Sequence, residues 1–247
     1  MNFKSRNAKT HFENLAATYR LNYDEEQSGK GYEFGKRKEI VLDLVSTIKF
    51  ETLLECASGS GDITFEVTKT HQHATVIVND LSENMLRISK EKFDQLSNRN
   101  EIIYRNDDIF QLLQTSHYDA DLCICLGLIA HTGNADLLFR LINDTLSKKG
   151  HLILQYTRGE TFRTKFVWYI NRLRNSKNTH QIEYYREQDL FKILNDNNFE
   201  IVTSVRYLIG IPFMNKLFPK LSLKLEKLLS KLATKIGSEV IILARKI

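Results

Sequence analysis

The sequence predicts an α/β fold: a seven-stranded, mostly parallel sheet with an antiparallel last strand and helices on both faces. Three observations support this fold. Apolar, β-branched runs of strand length recur, helical patterns separate the first five, and the last two lack an ordinary helical crossover. The predicted strands are Thr52–Cys56, Ala74–Asn79, Ile102–Arg105, Asp121–Leu126, His151–Tyr156, Ile201–Leu208 and Glu239–Ala244.

The helices between these strands follow from apolar residues at helical spacing and from residues that cap helix ends. A helix is predicted over Ser82–Leu96, with Ser82 as its N-cap. A second is predicted over Asn134–Ser147, with Asn134 as its cap and Gly150 past its end. A shorter helix, Glu187–Asn195, precedes the sixth strand.

A further helix is predicted before the first strand. Phe12, Leu15, Ala16 and Tyr19 are spaced so that they share one helical face. This helix would either cover an edge of the sheet or close as a lid over a ligand. We expect residues 1–50 to form this helical lid and residues 51–247 to form the main domain, with insertions at about 157–185 and 211–237.

Composition excludes several classes of protein. The chain has 247 residues, of which 42% are hydrophobic and 26% charged, as in ordinary globular proteins. No apolar run is long enough to span a bilayer, and the polar start of the chain lacks a signal core, so we expect a cytoplasmic protein. Cys56, Cys123 and Cys125 lie in strand-like runs and should be buried thiols. His71 and His73 have no third ligand nearby, and no metal site is predicted.

Positive charge is concentrated late in the chain, within a net charge of +5. Residues 211–247 carry eight Lys or Arg against two acidic residues, and residues 157–186 carry seven against two. Such a distribution indicates either an anionic substrate or an anionic surface as partner.

The stretch LLECASGSGDIT suggests a ligand site at the end of the first strand. Ligands of open α/β sheets bind at the carboxyl ends of strands, and Gly59 and Gly61 let the backbone approach closely. Asp80 ends the next strand, 19 residues after Gly61, at the spacing of a carboxylate that accepts hydrogen bonds from ribose hydroxyls. Asp108 and the Ile109 backbone, after the third strand, could bind an adenine.

A nicotinamide dinucleotide would use the same pieces, but two residues argue against it. Its fingerprint requires a third glycine where this chain has Thr64. Asp62, directly after Gly61, places a negative charge where a diphosphate would lie. An adenosine ligand with a positive centre and no phosphate fits better, and S-adenosyl-L-methionine is such a ligand.

Five motifs in order resemble those of class I S-adenosylmethionine-dependent methyltransferases, over nearly the whole chain. They read LLECASGSGDIT, VIVNDLSENML, NDDIFQL, DLCICLGLIAH and LSKKGHLIL. The resemblance implies a Rossmann-like fold and methyl transfer to a small molecule. One departure is Ala57, which stands where the family usually has its first glycine and is tolerable if its φ stays negative.

The resemblance also implies which residues would bind the cofactor. The methionine portion would contact Glu55, Ala57, Gly59 and Gly61; the ribose would bind Asp80; and the adenine would contact Leu81, Met85, Asp108 and Ile109. Leu126 and Gly127 would lie beside the sulfonium. Tyr19 and Arg37 are candidates for closing over the cofactor and pairing with its carboxylate, although Arg37 could equally be a solvated arginine.

His131 is the candidate catalytic residue, because it follows the fourth strand and would lie near the transferred methyl group. It could take the proton from an attacking hydroxyl or amine, or it could only order its loop. The chain has only Pro212 and Pro219, so the proline-rich clamp of adenine and amide methyltransferases is missing. The LIAH stretch, the basic segment 157–185 and the YYREQDL helix together resemble small-molecule O- and N-methyltransferases of the quinone, porphyrin and sugar type. This resemblance implies a small, anionic acceptor that could be lipid-linked. An RNA methyltransferase and a non-catalytic S-adenosylmethionine-binding protein are the alternatives.

The segment Thr157–Tyr185 is expected to set substrate specificity. It combines arginines with Trp168, Tyr169, Tyr184 and Tyr185, which suits a ring that bears a phosphate or carboxylate. The alternative is an amphipathic helix that packs on the sheet edge and exposes its basic side.

Residues 213–237 read as a basic amphipathic helix. Its predicted apolar face consists of Leu221, Leu225, Leu228, Leu229, Leu232 and Ile236, with five lysines beside it. Packing of this face across the final strand pair, or pairing in a homodimer, is the interpretation that we favour. The other is contact with an anionic membrane, which would place the protein peripherally at the inner membrane face.

Overall fold

Seven strands form one sheet in the computed structural model, which describes residues 9–16, 28–96, 100–173 and 182–247. The strand order is β3-β2-β1-β4-β5-β7-β6, and β7 runs antiparallel to both of its neighbours. This confirms the predicted Rossmann-like fold class. The strands are β1 (Thr52–Glu55), β2 (Thr75–Asn79), β3 (Glu101–Arg105), β4 (Ala120–Cys125), β5 (Leu146–Thr157), β6 (Phe199–Tyr207) and β7 (Glu239–Lys246).

Helices cover both faces of the sheet. One face packs against α2, α3 and α4, and the other against α5, α7 and α9. Neighbouring strand residues alternate between the two cores, as Leu53 and Leu54 do in β1. The described helices are α1 (residues 9–16), α2 (Gly29–Val45), α3 (Asp62–Thr70), α4 (Glu83–Phe93), α5 (Ile109–Thr115), α6 (Ile129–Thr132), α7 (Ala135–Thr145), α8 (Phe162–Leu173), α9 (Glu187–Asp196), α10 (Met214–Leu217), α11 (Pro219–Leu228) and α12 (Ser230–Ile236).

Two helix starts occur where the capping residues predict them. The Ser82 hydroxyl accepts a hydrogen bond from the Met85 N–H at 3.2 Å, and α4 begins at Glu83, directly after Ser82. The Asn134 side chain accepts from the Leu137 N–H at 3.0 Å at the start of α7. Both contacts satisfy backbone donors that a helix N-terminus leaves without a partner.

The predicted end of α7 is wrong. The helix stops at Thr145 rather than Ser147, and β5 begins at Leu146 rather than His151. Leu146 is buried and pairs with Ala120, so the strand starts as soon as the helix ends. The next residues form an irregularity in the strand, with Lys149 at a φ of 65°, before His151 pairs with Leu122.

The expected packing of residues 213–237 across the final strands is also wrong for the leucine face. Its members Leu221, Leu228, Leu232 and Ile236 are exposed, while Ser222, Leu223, Glu226 and Ala233 are buried. The inward side is set by polar contacts, because the Glu226 carboxylate accepts the backbone N–H groups of Ile209 and Gly210 at 3.0 and 2.8 Å.

The three cysteines are buried free thiols, as predicted. The sulfur atoms of Cys56 and Cys123 lie 3.3 Å apart between β1 and β4. Among the described residues, no helix is both long and apolar enough to cross a membrane.

Candidate active site

A cavity of about 290 Å³ lies at the carboxyl ends of β1 to β4. Strands β2 and β3 extend the sheet on one side of β1 and β4 extends it on the other, so the cavity lies where the strand order reverses. Gly127 and most of the residues predicted from the sequence line it: Arg37, Glu55, Ala57, Gly59, Asp80, Leu81, Met85, Asp108, Ile109, Leu126 and His131. Tyr19 lies outside the described residues.

The turn after β1 brings backbone N–H groups to the cavity. Gly59 has a φ of 54° and donates its N–H to an Asp80 oxygen at 2.7 Å. Ala57 has no positive φ, so the backbone accommodates its methyl group. Gly61, predicted to contact the methionine portion, is not among the residues that line the cavity. It is the N-cap of α3 with a φ of 69°, and a Cβ there would lie 2.3 Å from the Ser89 hydroxyl oxygen.

Asp80 is held by two backbone hydrogen bonds, one to each carboxylate oxygen. The donors are the N–H groups of Gly59 and Ser82, at 2.7 and 2.8 Å. Burial raises the pKa of Asp80 to about 6, although both hydrogen bonds oppose the shift. Each oxygen keeps acceptor capacity, so this fixed carboxylate could also accept hydrogen bonds from ligand hydroxyls.

Glu55 is the second buried carboxylate at this edge of the sheet. It is 3% exposed and accepts a hydrogen bond from the Thr64 hydroxyl. Burial, helped by the neighbouring Asp80 and Asp62 charges and opposed by the Thr64 hydrogen bond, raises the pKa of Glu55 to about 7. A cation entering the cavity would favour the ionised form of Glu55.

Asn79 organises the site, and the sequence analysis did not identify it. This 1% exposed side chain donates to the Cys56 carbonyl at 3.0 Å and accepts the Asp107 N–H at 3.2 Å. It thereby ties the turn after β1 to the turn after β3. The signal in the sequence is one amide at the end of the apolar run TVIV. Asp108, in that second turn, accepts the Phe110 N–H at 3.1 Å and caps α5.

Helix α2 contributes a side of the cavity that includes two residues not predicted, Glu33 and Phe34. Arg37 lies one helical turn after Glu33, and its guanidinium stacks 4.4 Å from the centre of the Phe34 ring. Arg37 also donates to the Gln155 side-chain oxygen at 3.1 Å. Glu33 and Arg37 at helical spacing of i and i+4 are the signal that could have identified this face.

Residues 9–16 border the cavity. Phe12 lines it and meets the His131 ring edge to face, with ring centres 5.6 Å apart. Glu13 accepts the N–H groups of Glu83 and Asn84 at 2.9 and 3.2 Å, which fastens α1 to the N-terminus of α4. The predicted role of this helix as a lid stays a prediction, as does proton transfer by His131.

Carboxylates dominate the ionisable side chains of the cavity. Six carboxylates and one guanidinium are among its described lining residues: Glu33, Glu55, Asp62, Asp80, Asp107 and Asp108, with Arg37. Asp62 is paired with Lys92, and Asp107 forms an ion pair with Arg105 at 2.8 Å. The negative charge of the carboxylates that have no such ion pair among the described residues favours a ligand with positive charge and disfavours a diphosphate.

A second cavity, of about 350 Å³, lies between the start of α8, residues 209–212 and the end of α12. Arg158, Phe162 and Arg163 line it, and these belong to the segment predicted to set substrate specificity. Trp168 and Tyr169 of that segment are instead exposed. Residues 174–181 lie outside the described residues.

Polar side chains link the two cavities through the carboxyl end of β5. Arg163 donates to Glu239 at 2.8 Å, and the Gln155 amide nitrogen is 3.2 Å from the other Glu239 oxygen. Gln155 in turn accepts from Arg37, which lines the first cavity. A ligand group at either end would therefore contact one connected hydrogen-bond network.

Comparisons with known proteins agree with this fold. Residues 53–150 match the family model described as "Methyltransferase domain". No curated protein sequence matches the chain. Magnesium protoporphyrin IX methyltransferase from Synechocystis PCC 6803, crystallised with bound SAH, superimposes with a TM-score of 0.69 at 18% identity, over 99% of this chain and 100% of that one.

Two further solved structures share the fold at lower similarity. A SAM-dependent methyltransferase from Thermotoga maritima, described as a possible histamine N-methyltransferase, gives a TM-score of 0.63 at 14% identity, over 97% of this chain and 99% of that one. Geranyl diphosphate methyltransferase in complex with GPP and sinefungin gives 0.59 at 15% identity, over 86% and 77%. At these identities the likeness shows the fold alone.

Proposed function

We propose that the chain is a class I S-adenosylmethionine-dependent methyltransferase, which transfers a methyl group from S-adenosylmethionine to an oxygen or nitrogen of a small, anionic metabolite. The observation that carries the proposal is the cavity at the reversal of strand order, with six carboxylates and one guanidinium among its described lining residues. Such a site suits a nucleoside with cationic groups, because buried carboxylates favour cations and repel phosphates.

The residues present fit this cofactor. Glu55 would bind the ammonium of its methionine portion, and Arg37 would pair with the carboxylate. Asp80, already oriented by two backbone N–H groups, would accept the ribose hydroxyls. Asp108 and Ile109 would contact the adenine, since both line the same cavity after β3.

When bound, S-adenosylmethionine supplies an electrophilic methyl group on a sulfonium whose positive charge is lost in the transfer. The chain would hold the acceptor in line with that methyl group and exclude water, which accounts for most of the expected rate. Leu126 and Gly127 would lie beside the reacting centre. His131, which lines the cavity after β4, would accept the proton released from the attacking oxygen or nitrogen.

The acceptor would be an anionic molecule bound toward the second cavity. Arg158, Arg163 and Lys235 line that cavity together with one acidic residue, Glu160. The names of two structural neighbours contain a porphyrin, magnesium protoporphyrin IX, and a phosphorylated lipid precursor, geranyl diphosphate. A porphyrin-, quinone- or sugar-like acid, including a lipid-linked one, therefore defines the panel of substrates to test.

Calorimetry with S-adenosylhomocysteine and NAD, side by side, tests the cofactor. We expect binding of the first and no measurable binding of the second. Asp80→Asn should weaken S-adenosylhomocysteine binding at least tenfold, since a hydrogen bond to an ionised group contributes about 1.5–3 kcal/mol. Asp144→Asn, an exposed position on α7, is the matched control and should bind as wild type does. Tight NAD binding without a response to S-adenosylhomocysteine would contradict the proposal.

A transfer assay then tests the reaction. Radiolabelled S-adenosylmethionine incubated with the acceptor panel should label an anionic small molecule, and RNA should remain unlabelled. Label in RNA would replace the small-molecule proposal by the alternative of an RNA methyltransferase. Cofactor binding without transfer to any member of a broad panel would instead support a non-catalytic binding protein.

A further inference from the structure

Exposed apolar side chains concentrate in two segments that share the second cavity, α8 and residues 213–236. Eleven of the fourteen exposed large hydrophobic residues among the described ones lie on α8 or between Phe213 and Ile236. The most exposed of the eleven are Phe162 at 78%, Leu228 at 76%, Leu217 at 65% and Phe218 at 60%. We call this surface the apolar face. Monomeric proteins seldom expose contiguous apolar patches without a partner.

Aromatic contacts and the second cavity join α8 to residues 213–236. The rings of Phe162 and Phe166 stack with centres 5.8 Å apart, and Phe166 meets Phe213 at 6.4 Å. Phe162 and Ile236, at opposite ends of this part of the sequence, both line the second cavity. The two segments that carry the apolar face therefore meet at the second cavity.

Only positive charge accompanies the apolar residues on the outward side of α11 and α12. Lys220, Lys224, Lys227, Lys231 and Lys235 are all exposed. The one acidic residue of these helices, Glu226, is buried and bound to backbone N–H groups. A helix with exposed leucines and flanking lysines has the properties of helices that lie in the interface of anionic membranes.

A second copy of the chain fits this face poorly. A two-fold symmetric interface brings the same patch of both subunits together, so the lysines of α11 and α12 would meet the same lysines of the partner. An anionic surface reverses the sign of that interaction. We propose that the apolar face of α8 and α10–α12 docks the protein on an anionic lipid bilayer, with the exposed leucines and phenylalanines inserted among the acyl chains and the lysines at the headgroups.

Vesicle flotation tests the charge requirement. Wild-type protein should float with vesicles of phosphatidylcholine containing about 30% phosphatidylglycerol, and not with phosphatidylcholine alone, because each lysine near such a surface strengthens binding about fivefold. The triple variant K224Q/K227Q/K231Q should bind about a hundredfold more weakly. The control K49Q/K148Q/K149Q changes the charge equally near the starts of β1 and β5, at the opposite end of the sheet, and should float as wild type does.

A second variant tests the apolar requirement. Leu228→Ser with Leu232→Ser replaces two exposed side chains, so the fold should be kept, as circular dichroism and thermal unfolding would show. We expect this variant to lose flotation as well. Equal binding of wild type and both variants to anionic vesicles, or equal binding to neutral ones, would overturn the proposal.

Light scattering tests whether the apolar face is instead covered by a second copy of the chain. A wild-type mass of twice 28.8 kDa that falls to the monomer in the leucine variant would show that the apolar face joins two copies, and would overturn membrane docking. A wild-type monomer that floats only with anionic vesicles is the result we expect. Neither readout depends on methyl transfer, so failure of the enzymatic proposal would leave this one intact.

Discussion

The affinity for S-adenosylhomocysteine should rise steeply as pH increases from about 5.5 to 7.5. Glu55 would have to be ionised to bind the ammonium of the ligand, and Asp80 would have to be ionised to accept hydrogen bonds from the ribose hydroxyls with both oxygens. Burial raises the pKa of Glu55 to about 7 and that of Asp80 to about 6, so both groups change charge within this range. Protonation of Glu55 therefore competes with the ammonium of the ligand, and protonation of Asp80 removes acceptor capacity for the ribose.

The expected magnitude follows from the ionised fractions. At about pH 5.5, roughly 3% of Glu55 and a quarter of Asp80 would be ionised; at about pH 7.5 the fractions are roughly three-quarters and nearly all. The apparent dissociation constant scales inversely with the fraction of competent protein, so it should fall roughly a hundredfold. With Glu55 fixed in a neutral form, Asp80 alone would give about a fourfold change.

Calorimetry at several pH values measures both numbers. Glu55→Gln keeps an oxygen acceptor for the Thr64 hydroxyl and should reduce the hundredfold dependence to about fourfold, besides weakening binding. Glu66→Gln, on the exposed side of α3, is the matched control and should keep the full dependence. Titration near pH 6.5 in buffers of different ionisation enthalpy should show protons released on binding.

An affinity that is flat over this range would refute the reasoning, because it would mean that neither carboxylate changes its proton occupancy when the ligand binds. A full pH dependence that persists in Glu55→Gln would refute the assignment to that residue. In either case the ammonium of the ligand would not contact Glu55.

Three further predictions concern stability and rate. The raised pKa of Glu55 means that its contribution to folding is present at low pH and is lost between its ordinary pKa of 4.5 and about 7. In urea unfolding, Glu55→Gln should therefore stabilise the free protein by up to roughly 3 kcal/mol at about pH 8 and show no gain near pH 4. Destabilisation at pH 8 would contradict this prediction. Gly61→Ala should lower the free energy of unfolding by about 2–3 kcal/mol, because its φ is 69° and the added Cβ would lie 2.3 Å from the Ser89 hydroxyl oxygen. Gly127→Ala is the control, since Gly127 has a φ of 65° but open space around it, and should lower the free energy of unfolding by about 1 kcal/mol. Equal losses in the two variants would argue against the contact with Ser89. His131→Asn should lower kcat by about 10²–10⁴ while S-adenosylmethionine binding is kept. An unchanged kcat would restrict His131 to a structural role.

The mostly parallel sheet and several element boundaries were predictable because local signals determine them. Ser82 and Asn134 predicted helix starts, since each cap requires only a side-chain acceptor three residues before a backbone donor. The antiparallel position of β7 followed from the missing crossover before it. Most predicted cavity residues come together for a related reason: they follow parallel strands, whose carboxyl ends share one edge of the sheet.

The features that were missed depend on contacts between distant parts of the chain. Nothing near Leu146 shows that it pairs with Ala120, and that pairing is what shortens α7 and lengthens β5. The orientation of α11 depends on Glu226, whose hydrogen bonds to residues 209 and 210 turn a polar side inward and leave the leucines outside. Asn79 reads as an ordinary strand residue until its two bonding partners are placed around it.

The two proposals explain in the same way two features that destabilise the isolated protein: each feature would be stabilised by a bound partner. Buried carboxylates without a cation and exposed leucines without cover both raise the free energy of the isolated protein. Glu55 and Leu228 could each be replaced by a residue that suits the isolated chain better, so stability alone does not account for either. A bound cationic nucleoside would offset the first cost and an anionic bilayer the second, and each gain would appear as stabilisation that depends on ligand concentration. A thermal shift on adding S-adenosylhomocysteine that disappears in Glu55→Gln, but persists in the leucine variant, would show that the two costs arise at separate sites.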